Sequence, residues 1–184
     1  MKKIILTIAI SLYCILSFAN DTIRISDASS IPAILSDKEA TVFIVVRHGE
    51  KAHDGKDPHL DSNGIKRAQT LQHILSKLSI DNIYATPYNR TKETVKPTAD
   101  SKNQTVQEYS PMIPYKKLTD SLLAVNKGKK VLIAGHSNTV PGIVKALSHS
   151  EADISIAEDT FDNIYIVIIP KEGHPVLRSL KYGK

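Results

Sequence analysis

Residues 42–46 read Val-Phe-Ile-Val-Val and residues 131–135 read Val-Leu-Ile-Ala-Gly, two runs without a polar side chain. A strand with one wet face alternates polar and apolar residues. A strand apolar at every position is buried on both faces, as in a parallel sheet covered by helices on each side. Each run leads towards a segment with helical spacing. After the first, Ile65, Ala68, Leu71, Leu75 and Leu78 share one face of a helix predicted over 62–78. After the second, Thr-Val-Pro-Gly-Ile-Val-Lys-Ala-Leu-Ser (139–148) reads as another helix.

The rest of the chain continues the alternation. Short strands are expected at 81–86 and 104–109, with helices from Pro87, interrupted at Pro97, and from Tyr115 to near Gly128. Residues 163–170 and 175–182 flank Lys-Glu-Gly-His and read as a hairpin. A short strand is expected at 22–26 and a helical turn at 31–37. The fold class is α/β: a three-layer α/β/α sandwich with a mostly parallel central sheet, closed by a C-terminal β-hairpin.

The 184-residue chain suits one domain, preceded by a separate segment. Met-Lys-Lys, an apolar run over 4–18 and the small residues Ser17 and Ala19 make residues 1–19 a signal peptide, with cleavage expected between Ala19 and Asn20. The run is short for a membrane span, which takes about 20 residues; an uncleaved anchor is the alternative. The domain is then 20–184, and the protein is expected to be exported, periplasmic or secreted. Loss of Lys2 and Lys3 lowers the formal charge from +5 to +3. That excess is too mild for nucleic acid, and no arginine-rich stretch supports one; it suits modest attraction of anions. Cleavage also removes Cys14, the one cysteine, so the mature domain folds without disulfides.

The first apolar run ends in Arg47-His48-Gly49. The carboxyl ends of strands are where open α/β sheets place ligands. His136 follows the second run, Glu108 ends the strand at 104–109, and Arg90 lies one helical turn beyond the strand at 81–86. Two arginines and two histidines suit a dianion, since guanidinium groups pair with phosphate oxygens. An imidazole can attack phosphorus if its other nitrogen donates to a backbone carbonyl, and Gly49 would permit a tight turn there. A protonated second histidine would donate to a non-bridging oxygen. Glu108 would protonate the leaving oxygen and later take a proton from water. Phosphoryl transfer rests mainly on positioning and charge, so neither metal nor cofactor is required. His48, His53 and His59 fit no compact metal-ligand spacing.

These segments resemble the histidine phosphatase superfamily (phosphoglycerate-mutase-like). Val-Val-Arg-His-Gly-Glu-Lys resembles its nucleophile motif, residues 60–75 its Gly- and Gln-bearing helix, and residues 85–97 its second-arginine segment, with Thr86 for the usual serine. Residues 106–110 resemble its acid segment and residues 131–147 its second-histidine segment. The resemblance covers about residues 41–148, in order. It implies that His48 is the phosphorylated nucleophile, that Arg47, Arg90 and His136 hold the phosphate, and that Glu108 is the acid. Lys51 and Asp54 replace the Thr and Asn of the mutase pattern, which favours a phosphatase. With little length for a cap, the chain is similar to short phosphatases of the superfamily, some of which act on phosphohistidine. The expected partner is a small phosphorylated substrate or a phosphoprotein.

Two other readings remain at this stage. One is a non-catalytic phosphate-binding module. The other is a serine esterase with Ser137 as nucleophile, since Gly-His-Ser-Asn-Thr (135–139) resembles a nucleophile elbow and Asp162 and His174 follow in order. Thr139 in place of the last glycine argues against it, as do the unexplained Arg47, His48 and Arg90.

Overall fold

The computed structural model describes residues 23–25, 39–151 and 153–183. Among the described residues, seven strands form one sheet: β1 (Ile23–Ile25), β2 (Thr41–Arg47), β3 (Asn82–Ala85), β4 (Val106–Glu108), β5 (Lys130–Gly135), β6 (Asn163–Ile169) and β7 (Val176–Tyr182). Among the described residues, four helices cover it: α1 (Ser62–Ile74), α2 (Asn89–Ser101), α3 (Tyr115–Asn126) and α4 (Val140–Ser148). The strand order is β1-β7-β6-β2-β5-β3-β4. β6 alone runs antiparallel to its neighbours. The sheet is therefore mostly parallel, and β6 and β7 form the expected closing hairpin. The signal segment and the helical turn expected at 31–37 lie outside the described residues. Among those described, no helix is long and apolar enough to cross a membrane.

The two apolar runs are the two central strands, and their pleat explains their composition. Val42, Ile44 and Val46 enter a core beneath α1 and α2 with Leu71, Ile74, Val95 and Leu132. Phe43 and Val45 enter a second core beneath α3 and α4 with Leu118, Leu122, Ile143 and Val167. Neither face of β2 meets water, so neither tolerates a polar side chain.

Local departures from expectation have physical causes. α1 starts at an Asp61 cap, whose carboxylate accepts from Asn63 N and Gly64 N at 2.8 and 2.9 Å. It ends at Ile74, yet Leu75 and Leu78 stay in the core through the turn that follows. Its buried face carries Arg67, and Ile65 is exposed. Arg67 is tolerated there because Nε and Nη2 donate to the Glu50 carboxylate at 2.6–3.1 Å, and Nη1 donates to Tyr182 O at 3.1 Å. α2 continues through Pro97, which is half-buried along with Glu93, so water can reach the carbonyl that loses its donor.

α1 is pressed onto the loop after β2. A Cβ on Gly64 would stand 2.2 Å from Glu50 O and 3.0 Å from Glu50 N, both backbone atoms that cannot swing aside. Gly64→Ala should therefore destabilise the domain by about 1–3 kcal/mol, read as a lower midpoint in urea unfolding. An unchanged midpoint would show that the helix and loop are free to part.

Candidate active site

The parallel pairing of β2 with β5 sets Arg47 opposite Gly135. The next residues, His48 and His136, leave the sheet side by side. His48 N donates to Gly135 O at 2.9 Å, and the ring centroids stand 5.4 Å apart, edge to face. β3 delivers Thr86, and the first turn of α2 delivers Arg90. Arg47, His48, Arg90 and His136 all line one cavity of about 450 Å³, with Lys51, Tyr88, Met112 and Glu158 among its other walls.

His48 is held neutral, with one ring nitrogen left free. Nδ1 lies 2.7 Å from Gly49 O; a carbonyl only accepts, so Nδ1 carries the hydrogen and Nε2 keeps its lone pair. Burial, reinforced by the charges of Arg47 and Arg90, pushes its pKa down to about 3. Gly49 does not occupy the left-handed region. Its role is close approach: a Cβ there would meet Gly64 Cα at 2.9 Å. Gly49 N donates to Thr94 Oγ1 at 2.8 Å, and Thr94 donates to Arg90 O at 2.7 Å, which ties the loop after β2 to α2.

The arginines are held with donors to spare. Arg47 is 2 % exposed. Its Nη1 donates to Ala157 O and Thr160 O at 2.8 and 3.1 Å, its Nη2 to Glu158 at 3.2 Å, and its guanidinium lies over Phe161. Arg90 lies over Tyr88 and reaches Asp57 at 3.5 Å. Nε of both arginines is buried without a hydrogen-bond partner. An unused buried donor is costly. The second histidine, His136, is also depressed, to about 4, by burial and then by Arg90 and Arg47. It is therefore neutral at neutral pH, and the donor role open to a protonated second histidine would require it to gain a proton.

The structure does not bring Glu108 into this group. Along the edge strand β4, alternation sends Val106 and Glu108 towards the α2 layer and Tyr109 into the opposite core. Glu108 is half-exposed, pairs with Lys92 at 3.3 Å and does not line the cavity. The carboxylate that does is Glu158, which accepts from Ser137 Oγ at 2.8 Å and from Arg47. Those two contacts, Ser137 first, hold its pKa below the usual carboxylate range. Glu158 sits in the loop before β6. It reaches the site because β6 runs antiparallel beside β2 and so begins at the cavity end. No motif marks it; only the strand pairing could have found it.

The esterase constellation does not assemble. Ser137 faces Glu158, Asp162 accepts from Lys181 at 2.6 Å, and His174 lies in the β6–β7 turn at the far end of the sheet. Among the described residues, no group of His, Cys, Asp and Glu is arranged to hold a metal ion.

Residues 43–112 match the model of the histidine phosphatase superfamily, branch 1. No curated protein matches the chain by sequence. Among solved structures, the protein histidine phosphatase SixA complexed with tungstate is similar with a TM-score of 0.63 and 20% identity, covering 76% of this chain and 96% of that one. Phosphoserine phosphatase from Entamoeba histolytica with 3-phosphoglyceric acid is similar at 0.58 and 19% identity, covering 78% and 98%. A mycobacterial glucosyl-3-phosphoglycerate phosphatase is similar at 0.62 and 11% identity, covering 78% and 100%. At these identities the likeness to solved structures is one of fold.

The two depressed histidines bear on stability. Their ordinary value is 6.5, and in the folded chain they titrate near 3 and near 4. Between those limits the unfolded chain binds more protons than the folded one, so stability rises with pH there and is lost as pH falls below 6.5. Urea unfolding from neutral pH to pH 5 should show a loss approaching about 1.4 kcal/mol per pH unit for each histidine, and His48→Asn should remove part of that slope. An unchanged slope in the variant would show that His48 is not buried neutral.

Proposed function

We propose that this chain, whose residues 43–112 match the histidine phosphatase superfamily (branch 1), is a metal-independent phosphatase of that superfamily working through a phosphohistidine on His48. The observation that carries this reading is the hydrogen bond from His48 Nδ1 to Gly49 O, which leaves Nε2 unprotonated in a residue that shares one cavity with Arg47 and Arg90. Arg47 and Arg90, which both line the cavity, bind the phosphoryl oxygens through their guanidinium groups. Nε2 attacks phosphorus, the phosphorus–nitrogen bond forms, and the bond to the leaving group breaks. Water then attacks the phosphohistidine and releases phosphate. Glu158 is 85 % exposed on its side chain, so exchange of its carboxylate for a phosphate oxygen on Arg47 costs little.

The leaving group narrows the substrate. Glu108 is turned away, and Glu158 is held ionised, so neither supplies a proton at neutral pH. Substrates whose leaving group departs without protonation by a carboxylic acid, such as aryl phosphates, or whose leaving imidazole carries its own proton, such as phosphohistidine, are favoured over alkyl phosphates. A phosphoprotein is compatible with the open mouth, where Met112 is 87 % exposed.

Rapid-quench labelling tests the reading. The wild-type protein should form an acid-labile, alkali-stable phosphoenzyme. His48→Asn should lose label and turnover together, and Arg47→Ala or Arg90→Ala should lower kcat by about 10²–10³. Glu108→Gln should change turnover little on aryl and alkyl phosphates alike. A selective loss on alkyl phosphates would restore Glu108 as the acid. Full turnover by His48→Asn would end the phosphohistidine reading, and phosphate binding without turnover in the wild type would favour a binding module.

Export is proposed alongside, supported by the basic start, the apolar run over 4–18 and the Ser17-Phe18-Ala19 site. Mass spectrometry of protein from its host should find Asn20 at the mature N-terminus; a cytoplasmic full-length chain would refute it.

A further inference from the structure

His136 has a partner at each ring nitrogen, and those partners determine where its hydrogen sits. Thr91 Oγ1 lies 2.9 Å from Thr86 O and 2.8 Å from Tyr88 O. Carbonyls only accept, so the single Thr91 hydroxyl hydrogen goes to them. Thr91 can then only accept in its 2.9 Å contact with Thr86 Oγ1, which uses the single hydroxyl hydrogen of Thr86. Thr86 Oγ1 is left as an acceptor 2.9 Å from His136 Nε2, so Nε2 carries the hydrogen. The other side gives the same answer independently. Arg90 Nη2 can only donate, and it faces His136 Nδ1 at 3.5 Å, so Nδ1 presents a lone pair.

We propose that Thr86 is a positioning residue that locks His136 in the Nε2–H tautomer, so that an anion seated in the cavity draws one proton onto His136 Nδ1. The second half rests on the cavity being the phosphate site. An anion oxygen facing the Nδ1 lone pair is repelled, and one facing Nδ1–H is hydrogen-bonded and paired with a cation. The proton comes from solvent, or from the P–OH of a monoanionic phosphate; no other bond changes. The groups around the ring agree with this. Burial first, then Arg90 from α2 and Arg47 from the end of β2, disfavour a charged His136, whose ring meets that of the neutral His48; Asp57 from the loop before α1 favours it. Tyr88 meets the ring edge to face, and Glu158 from the loop before β6 is held by neighbouring Ser137. A bound dianion adds the negative charge that this cationic setting lacks. Thr86 is fully buried, so no water replaces its hydroxyl.

Tungstate, a dianion without a proton of its own near neutral pH, is the probe. Nitrogen-15 NMR of the resting protein should show Nε2–H and bare Nδ1 at His136. Calorimetry of tungstate binding in buffers of different ionisation heat should show uptake of about one proton per anion, with affinity falling about tenfold per pH unit above the free value of about 4. Thr86→Val should shift the tautomer towards Nδ1–H and reduce both uptake and pH slope; Thr86→Ser should restore them. Nδ1–H in the resting wild type overturns the tautomer lock. Tungstate binding without proton uptake overturns the coupling while the phosphate site stands, and no binding overturns both. If Thr86→Val fails to fold, the wild-type measurements and Thr86→Ser decide.

Discussion

The parallel hydrogen bonding between β2 and β5 is the constraint on which the site depends. It runs from Val42 opposite Lys130 to Arg47 opposite Gly135 and continues one step further, from His48 N to Gly135 O. A slip of one residue would turn Arg47 or His48 to the other face of the sheet. The apolar cores on both sides of β2 make such a slip prohibitive, because every side chain would enter the wrong core. The cores thus hold the register, and the register holds two histidines edge to face.

That arrangement gathers positive charge in a place poor in water. Arg47 is buried, and its guanidinium is satisfied by two carbonyls and one carboxylate from the loop before β6. The histidines respond by staying neutral: desolvation is the largest cause of both shifts, and the arginines add to it. A neutral imidazole is what the proposed attack on phosphorus needs, so the burial that costs stability at low pH would also serve that chemistry.

A second layer keeps the loop after β2 still. Gly49 and Gly64 bring backbone against backbone, the Glu50–Arg67 pair joins the loop to α1 and, through Tyr182 O, to β7, and Thr94 joins it to α2. Three elements far apart in sequence thus support the loop that carries His48, as a site requiring sub-ångström placement demands.

Much of this was legible in the order of residues. Continuous apolar runs identify strands buried on both faces, helical spacing identifies their cover, and polar residues at the ends of such runs locate chemistry; Arg47, His48, Arg90 and His136 follow from those patterns. Periodicity is a local property, and local physics generates it. Other assignments depended on contacts that spacing does not encode. Glu108 is turned to Lys92 by the pleat of an edge strand, Ile65 is exposed while Arg67 is buried because Glu50 and Tyr182 satisfy the guanidinium, and Glu158 reaches the cavity through the antiparallel placement of β6. The residue types along the chain determined by themselves which chemistry was available. The tertiary structure decided which groups share a cavity and which nitrogen holds each proton, because burial and hydrogen-bond direction exist only once distant segments meet.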